Sequence, residues 1–408
     1  AIAWFEGRRH LELAEAQVEA VERALGEKVL VITGGPGTGK TTLIRAVVEI
    51  LGRKGQQLLL AAPTGRAANR LALAAGLEAR TIHRLLEYDP VGRGFRRGAQ
   101  RPLEADLVIV DEASMLDVTL ACQLLEAVAE GTRLILVGDV DQLPSVGPGR
   151  VLADVIRSRR VPVVRLRQIF RQAGRSMIVV NAHRILQGEQ PRLDRSAAAD
   201  FHFIERSEPE ALLDTLKRVV TERVPAGFGL DPRRDIQVLS PMRRGLLGVE
   251  NLNRELQAQL NPGGRPLAEG HRLRLGDRVM QLRNNYELEV FNGDVGRIER
   301  AEAAGQRVSV GFDGRIVVYE AASLDELALA YACSVHKSQG SEYPCVVMPL
   351  HTQHFIMLQR NLLYTAVTRG KRLVVLIGDR RALGTAVRNR STERRFTLLA
   401  ERLAGEVG

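Results

Sequence analysis

The stretch Val29-Leu-Val-Ile-Thr-Gly-Gly-Pro-Gly-Thr-Gly-Lys-Thr-Thr42 joins an apolar run to a glycine-rich turn. The run at 29–33 is typical of a buried strand, and the residues after Lys40 have a helical pattern. The turn matches G-x-x-x-x-G-K-T, and this motif between a strand and a helix predicts a loop that surrounds phosphates. Its backbone N–H groups and the helix N-terminus favour anionic groups of a nucleotide. The predicted nucleotide contacts are Gly35, Pro36, Gly37, Thr38, Gly39, Lys40, Thr41 and Thr42.

Two side chains of this loop and three from later segments provide the predicted chemistry. Lys40 pairs with the β- and γ-phosphates in this interpretation, and the Thr41 hydroxyl is a ligand of Mg²⁺. Asp111 and Glu112 end the apolar run at 107–110, so we expect Asp111 to hold the metal and Glu112 to orient and deprotonate the attacking water. Gln142 follows the next apolar run, from which it can reach the γ-phosphate or the attacking water.

Strands and helices alternate along most of the 408 residues, which predicts an α/β fold with parallel sheets covered by helices. The pattern is interrupted at 88–102, where Gly and Pro residues among several arginines indicate a small hairpin. At 260–322 short apolar runs separated by Asn292-Gly293 and Asp313-Gly314 predict a small antiparallel β-barrel.

Composition narrows the class of protein. Hydrophobic residues make up 45% and charged residues 26%, and no apolar run approaches the roughly 20 residues that span a bilayer. The start of the chain lacks the features of a signal peptide, so we expect a cytoplasmic protein. The three cysteines form no C-x-x-C pair. The net charge of +10 favours a polyanionic partner.

The ordered set of motifs resembles the superfamily 1 helicases, and within them the RecD-like 5′→3′ DNA helicases. The resemblance extends from Gln17 to Asp379. Because long members of that family carry additional N-terminal domains and this sequence begins with Ala1, we expect a trimmed form. The motifs are Gln17, 34–42, Ala62-Pro-Thr-Gly-Arg-Ala-Ala68, Thr81-Ile-His83, Asp111-Glu-Ala-Ser-Met115, 138–144, Leu166-Arg-Gln-Ile-Phe-Arg-Gln172, His336-Lys-Ser-Gln-Gly-Ser-Glu342 and Tyr364-Thr-Ala-Val-Thr-Arg369.

The resemblance implies roles for further residues. Gln17 looks like the family's adenine-reading glutamine, and Gly340 and Glu342 look like nucleotide contacts, Glu342 through the ribose. Arg171 and Arg369 look like two arginine fingers supplied by a second lobe, where an always-charged guanidinium stabilises transition-state charge. Closing the two lobes around ATP and reopening them after hydrolysis would drive stepping along a strand.

The resemblance also implies a domain organisation of two RecA-like P-loop NTPase lobes. We expect a small hairpin insertion in lobe one and an SH3-like β-barrel insertion in lobe two. The expected bounds are a helical lead-in at 1–27, lobe one at 28–86 and 103–150, the hairpin at 87–102, lobe two at 151–259 and 323–408, and the barrel at 260–322.

The nucleic-acid track is expected on loops that follow strands of both lobes. Hydroxyls and backbone N–H groups there can hold phosphates without reading sequence, although Thr64 is equally suited to cap a helix and His83 to pack against a neighbouring ring. The candidates are Pro63, Thr64, Thr81 and His83 in lobe one and Ser334 and His336 in lobe two. The hairpin at 87–102 lies where the family carries a wedge that splits the duplex, and its candidate residues are Arg93, Phe95, Arg96 and Arg97.

We therefore expect an ATP- and Mg²⁺-dependent, monomeric DNA helicase that acts on single-stranded DNA and on junctions, in repair or recombination in a bacterial cytoplasm. One alternative is a translocase motor of a larger nuclease or relaxase assembly without intrinsic unwinding. Another is an RNA-directed superfamily 1 helicase, since phosphate tracking does not reveal the sugar. A binding module with a decayed ATPase is disfavoured by the intact Lys40, Asp111, Glu112 and Arg369. A hexameric ATPase is disfavoured because both expected fingers lie within one chain.

Overall fold

The computed structural model describes residues 1–89, 92, 94–170, 176–193, 196, 199–285, 287–302, 305–312, 314–390, 395 and 397–406. The chain divides into two compact units, the first formed by Ala1–Arg175 with Glu393–Gly408 and the second by Ser176–Thr392. Within the described residues, helices are too short or too polar to cross a membrane.

The first unit is a parallel sheet with helices packed on it. Its strands are β1 (Val29–Gly34), β2 (Leu58–Ala62), β3 (Ala79–Thr81), β4 (Tyr88–Asp89), β5 (Gly94–Phe95), β6 (Leu107–Val110), β7 (Arg133–Gly138) and β8 (Val163–Leu166). Its first seven helices are α1 (Ile2–Arg9), α2 (Glu15–Gly26), α3 (Lys40–Gly52), α4 (Gly65–Ala75), α5 (Ile82–Leu85), α6 (Val118–Ala127) and α7 (Val151–Ser158).

The main sheet of this unit has the strand order β3-β2-β6-β7-β1-β8, and every neighbouring pair is parallel. Its apolar strands are buried because helices cover them, and the residues of β6 are all buried. The carboxyl ends of parallel strands meet at one edge. The segments that follow β1, β2, β3, β6 and β7 therefore lie side by side.

The predicted hairpin is confirmed within the described residues. Strands β4 and β5 pair antiparallel, with Tyr88 opposite Phe95 and Asp89 opposite Gly94. Pro90, Val91 and Arg93 lie outside the described residues.

The second unit contains another parallel sheet and a separate antiparallel one. Its helices are α8 (Met177–Gln187), α9 (Pro209–Arg218), α10 (Val224–Phe228), α11 (Val249–Leu260), α12 (Arg360–Val367) and α13 (Arg380–Arg388). Its strands are β9 (Phe201–Glu205), β10 (Ile236–Ser240), β11 (Arg278–Gln281), β12 (Val295–Ala301), β13 (Arg307–Phe312), β14 (Arg315–Glu320), β15 (Leu327–Leu329), β16 (Ala332–Ser334), β17 (Tyr343–Leu350) and β18 (Gly370–Gly378).

The parallel sheet of the second unit has the order β16-β10-β17-β18-β9. The antiparallel sheet has the order β14-β13-β12-β11-β15 and its own apolar core. This β-rich part was expected at 260–322. Its strands begin at Arg278 and end at Leu329, because β15 closes the edge beside β11.

A buried polar network joins this antiparallel sheet to the parallel one. Asp277 is fully buried and accepts hydrogen bonds from Gln257 Nε2 at 2.6 Å, Asn261 Nδ2 at 2.7 Å and Tyr331 Oη at 3.0 Å. The guanidinium of the neighbouring Arg278 donates to the Ile236 carbonyl at 2.8 Å. A buried carboxylate is stable only with such donors, so the network fixes the two sheets to each other.

The expected boundary at 150 between the lobes is wrong. Strand β8 pairs parallel with β1, with Val31 opposite Val163, and it completes the first sheet. The chain also returns to the first unit near its end, where α14 (Leu399–Ala404) packs against α7. The segment 151–170 and the described residues after 394 therefore belong to the first unit, which the apolar runs did not indicate because they are alike in both sheets.

The returning segment is held to the first unit by polar contacts as well. Arg395 Nη1 donates to the Gly147 carbonyl at 2.7 Å and to the Gly149 carbonyl at 2.8 Å. Thr397 Oγ1 donates to Asp154 Oδ2 at 3.1 Å. These contacts join residues more than 240 positions apart in the sequence.

Candidate nucleotide site and nucleic-acid interface

The glycine-rich loop lies between β1 and α3, as its motif predicts. Gly37 has φ 72° and Gly39 has φ 78°, a left-handed conformation in which a side chain is strained. Gly34 is required for a different reason, because a Cβ there would lie 2.9 Å from the Leu166 Cβ on β8. The loop ends at the N-terminus of α3, where unpaired N–H groups and the helix dipole favour phosphate.

Lys40 contacts its own loop in this structure. Its Nζ donates to the Gly34 carbonyl at 2.6 Å and to the Gly35 carbonyl at 3.0 Å. Thr38 Oγ1 also donates to the Gly35 carbonyl, at 2.8 Å. The loop is thus closed by its own side chains, and a primary amine is held at the position where phosphates would enter.

The acidic pair follows β6, two strands away from β1 in the sheet. Asp111 and Glu112 are both buried, and the Glu112 N–H donates to Asp111 Oδ1 at 2.8 Å. Burial, with the adjacent Glu112 carboxylate as a second cause, raises the pKa of Asp111 to about 6. Glu112 has φ 52°, an uncommon conformation for a residue with a side chain.

A divalent cation suits these residues. The Asp111 carboxylate and the Thr41 hydroxyl are hard oxygen donors of the kind that Mg²⁺ prefers. Burial and, second to it, the adjacent Glu112 carboxylate raise the pKa of Asp111, and a bound cation would stabilise the ionised carboxylate.

Sequence reasoning missed an arginine that contacts this acidic pair. Arg70 lies on α4, and its Nη2 is 2.5 Å from Glu112 Oε1. The two residues are 42 positions apart, and nothing in the sequence around Arg70 distinguishes it from the many other arginines. Only the placement of α4 after the neighbouring strand β2 reveals the contact.

Gln142 has a buried partner that was also missed. Asp139 directly follows β7 and is 1% exposed. Its Oδ2 accepts a hydrogen bond from Gln142 Nε2 at 3.2 Å, and its Oδ1 accepts one from the Asp141 N–H at 3.1 Å. The sequence did contain a signal for this contact, because Asp139 directly follows an apolar run and lies three positions before Gln142. Its strand, β7, lies between β1, which leads into the glycine-rich loop, and β6, which leads into the acidic pair.

Gln17 lies against the glycine-rich loop. Its side chain is 1% exposed, with Nε2 donating to the Gly39 carbonyl at 3.2 Å and Oε1 accepting from the Ala14 N–H at 3.0 Å. The ring of Phe170 is close to the same glycine, and the Phe170 N–H donates to the Gly37 carbonyl at 3.3 Å. An amide and an aromatic ring at one end of the loop are suited to contact a base. Arg171, the next residue, lies outside the described residues.

The lobe-one candidates for nucleic acid follow the edge strand β3 and its neighbour β2. Thr64 caps α4 by accepting from the Ala67 N–H at 3.3 Å, and Thr81 caps α5 by accepting from the Arg84 N–H at 3.2 Å. Pro63 precedes the first cap. These positions share an edge of the sheet with the loop and the acidic pair, so the nucleotide and strand candidates of this unit lie at one edge.

The wedge candidates are mostly engaged within the hairpin. The ring of Phe95 lies 5.2 Å from that of Tyr88 and 5.6 Å from that of His83, centroid to centroid. Burial lowers the pKa of His83, which favours its neutral form. Arg96 pairs with Asp89 at 3.0 Å and Arg97 with Glu87 at 2.7 Å, whereas Arg93 lies outside the described residues.

The candidates of the second unit separate into two groups. Ser334 ends β16, and His336 lies in the turn that follows, at the carboxyl edge of the sheet. Glu342 and Arg369 directly precede β17 and β18, at the amino edge. Gly340, with φ 70°, lies in the segment between them.

Arg369 is 3% exposed and bonded within its own unit. Its guanidinium donates to the Ser341 carbonyl at 3.1 Å, to Thr368 Oγ1 at 3.2 Å and to the Thr365 carbonyl at 3.3 Å. These contacts, made by all three nitrogens of the guanidinium, fix its orientation. Glu342 forms an ion pair with Lys371 at 3.0 Å.

Three families match successive parts of the chain. Residues 17–148 match an AAA domain, residues 252–312 match the SH3 domain of ATP-dependent RecD-like DNA helicases, and residues 329–377 match a UvrD-like helicase C-terminal domain. The middle match agrees with the antiparallel sheet of the second unit.

Curated relatives cover nearly the whole chain. An ATP-dependent RecD2 DNA helicase of Deinococcus radiodurans is 41% identical over 96% of this chain, which spans 52% of that protein's length. The RecBCD enzyme subunit RecD of Mycobacterium tuberculosis is 34% identical, and the match covers 92% of this chain and 71% of that protein. The corresponding subunit of Mycolicibacterium smegmatis is 33% identical, with 95% and 75% covered.

Solved structures agree in fold. A Pif1 helicase from Bacteroides in complex with ADP-AlF3 and single-stranded DNA has a TM-score of 0.58 and 19% identity, covering 97% of this chain and 98% of that one. These resemblances, with the phosphate loop, the strand-end acids and the SH3-like sheet, show that the chain belongs to the RecD-like family of superfamily 1 DNA helicases.

Proposed function

We propose that this chain is an ATP-dependent DNA helicase motor that moves 5′→3′ on single-stranded DNA and separates duplex at junctions, in repair or recombination. The observation that carries the proposal is the common edge of the first sheet. There the glycine-rich loop after β1, Asp139 after β7 and Asp111-Glu112 after β6 follow three neighbouring parallel strands. The bacterial relatives support a role in a bacterial cytoplasm.

Each side chain of that edge has a role in the proposed hydrolysis. Lys40 would leave its loop carbonyls to bind the β- and γ-phosphates, and Thr41 and Asp111 would hold Mg²⁺, which would supply Lewis-acid stabilisation of phosphate charge. Glu112 accepts the proton of the attacking water. Gln142, held by Asp139, orients that water or the γ-phosphate.

The remaining roles concern the base and the second lobe. Gln17 reads adenine, and Gly340 and Glu342 contact the nucleotide. Arg369 and Arg171 act as arginine fingers, and such a finger is typically worth a factor of about 10³ or more in rate. For Arg369, the hydrogen bonds to Ser341 and Thr368 support a guanidinium that is already oriented.

The proposed strand track uses the other residues. Pro63, Thr64, Thr81 and His83 hold the backbone in lobe one, and Ser334 and His336 hold it in lobe two. The hairpin with Phe95, Arg96 and Arg97, and with Arg93, acts as the wedge. The motor is proposed to work as a monomer.

ATP hydrolysis with and without oligo-dT tests the proposal. We expect strong stimulation in the wild type and its loss in Lys40→Ala and Arg369→Ala. Lys54→Ala and Arg372→Ala, which change exposed residues, are the matched controls and should keep the stimulated rate. Unwinding of 5′-tailed but not 3′-tailed duplex tests polarity. A wild-type rate indifferent to oligo-dT would exclude the motor, and stimulation without unwinding of either duplex would favour a translocase.

A further inference from the structure

Helix α4 connects the two proposed sites of the first unit. Arg70, in its second turn, contacts the Glu112 carboxylate at 2.5 Å. Thr64, which caps the N-terminus of the same helix, is proposed to hold the nucleic-acid strand. They are six positions apart in the sequence, which is about 9 Å along a helix axis.

The two partners of this ion pair differ in exposure. The Glu112 side chain is 8% exposed, and its backbone is fixed in an uncommon conformation between β6 and a 3-10 turn. The Arg70 side chain is 30% exposed and sits on a long flexible stem. The arginine can therefore change partners, whereas the glutamate stays in place.

The direction of the Arg70 side chain favours a second partner at the cap. Side chains on an α-helix lean towards its N-terminus, so the Arg70 side chain leans towards the end of α4 that Thr64 caps. A phosphodiester bound at the cap would come within reach of a partly exposed guanidinium. Arginine binds phosphate oxygens in the same bidentate manner as carboxylate oxygens.

The ion pair also conflicts with the proposed chemistry of Glu112. A general base must offer a lone pair to the attacking water, and the Glu112 Oε1 that accepts from the Arg70 guanidinium at 2.5 Å is occupied by that contact. The contact thus opposes hydrolysis while Arg70 remains on Glu112.

We propose that Arg70 is a positioning residue that restrains Glu112 until single-stranded DNA binds, and that a backbone phosphate at the N-terminus of α4 then takes over the guanidinium. This exchange rests on the proposed function and adds to it the route by which the strand accelerates ATP hydrolysis. Coupling of this kind is reciprocal, so Arg70 also contributes one phosphate contact to strand binding.

The test compares Arg70→Ala, Arg70→Gln and Arg70→Lys with the wild type in ATP turnover without DNA and at saturating oligo-dT. In the alanine and glutamine variants, we expect the DNA-free kcat to rise roughly two- to fivefold, the range that one partly exposed ion pair allows. The KM for ATP and the oligo-dT-saturated rate should change less than about twofold. The lysine variant keeps the charge and should keep a low DNA-free rate.

A second readout isolates the phosphate contact. The slope of log affinity for oligo-dT against log salt concentration should become shallower by about 0.7 in Arg70→Ala, the value for one contact on a single strand. Arg157→Ala removes an exposed arginine that pairs with Glu401 at 3.0 Å and should change neither the kcat nor the slope. Thermal unfolding of each variant verifies that it is folded.

The outcomes separate this proposal from the proposed function. An unchanged or lower DNA-free kcat in both Arg70→Ala and Arg70→Gln, beside a wild type that oligo-dT stimulates, would overturn the restraint and leave the motor intact. A raised kcat with an unchanged salt slope would overturn the exchange with phosphate. A wild type that oligo-dT does not stimulate would instead reject the proposed function, and the exchange with it.

Discussion

Asp139 holds the side chain of Gln142, because Gln142 Nε2 donates to Asp139 Oδ2 at 3.2 Å in a buried environment. The same carboxylate accepts from the Asp141 N–H at 3.1 Å, so it fixes both the turn after β7 and the glutamine within it. In the proposed mechanism, Asp139 therefore acts through Gln142 and needs no contact with the nucleotide.

Replacing Asp139 should disturb the orientation of Gln142 without weakening the binding of ATP. In Asp139→Ala, we expect kcat for oligo-dT-stimulated ATP hydrolysis to fall by roughly tenfold, because removing one oriented polar group costs about 1–2 kcal/mol of transition-state stabilisation. The KM for ATP should change little. Asp141→Ala, which changes an exposed neighbour, is the control. A KM that rises while kcat is constant would contradict the role.

Gly39 and Gly55 form a matched pair for testing the loop. Both have positive φ, 78° and 75°, but a Cβ at Gly39 would meet the Gln17 amide and lie 2.7 Å from the Phe170 ring, whereas a Cβ at Gly55 would meet open space. Gly55→Ala should lower the free energy of unfolding by about 1–2 kcal/mol from backbone strain alone. Gly39→Ala should lower it further and should also abolish binding of a fluorescent ATP analogue.

Urea unfolding and nucleotide titration of the two variants check this prediction. Equal loss of stability in both would show that the packing of Gln17 and Phe170 on Gly39 contributes nothing. Retained nucleotide binding in Gly39→Ala would contradict the assigned loop geometry.

Because of His354, we expect the stability of the second unit to fall in acid. Burial, with His351 nearby as the second cause, lowers the pKa of His354 to about 4. The unfolded chain, with a histidine pKa of about 6.5, then binds more protons than the folded one below that pH. Stability from this residue is complete above about pH 6.5 and is lost as the pH falls towards 4. Between pH 7 and 5.5 the loss should be about 1 kcal/mol.

The variant His354→Asn tests this by removing the titrating group. Its free energy of unfolding in urea should fall less between pH 7 and 5.5 than that of the wild type, by about 1 kcal/mol. Parallel pH profiles for the two proteins would show that His354 does not titrate differently on folding.

The hairpin should support unwinding more than hydrolysis. Phe95 packs on Tyr88 and His83, so Phe95→Ala removes the contacts that hold β5 in place. We expect unwinding of a 5′-tailed duplex to fall at least tenfold, while oligo-dT-stimulated ATP hydrolysis stays within about threefold. Arg96→Ala, which removes an exposed ion pair with Asp89, should have a smaller effect. Equal losses of unwinding and hydrolysis would exclude a separate wedge.

The sequence predicted the elements whose physical signal is local. The strands expected at 29–33 and 107–110 are apolar runs, and they occur as Val29–Gly34 and Leu107–Val110. The helical lead-in expected at 1–27 consists of two helices, α1 and α2, and the break between them was not predicted. Few apolar residues in α1 follow helical spacing, and it packs against the core chiefly through Phe5.

Contacts between distant segments had no comparable signal. Arg70 and Glu112 meet because β2 and β6 are neighbours in the sheet, and strand order is not encoded in either motif. The assignment of 151–170 failed for the same reason. Its strand has the apolar pattern of a strand in either sheet, and only pairing with β1 decides between them.

Because the chain returns to the first unit near its end, proteolytic cleavage at one site should not release the second unit. The second unit is nested between two segments of the first, since the chain leaves before Ser176 and comes back at Glu393. Protease cleavage near 176 alone would leave α14 on the downstream fragment. That helix and Arg395 would still hold the fragment on α7 and on the Gly147 and Gly149 carbonyls. Release of the second unit needs a second cut before residue 395, so nicked protein should elute intact from a sizing column and separate only under denaturant.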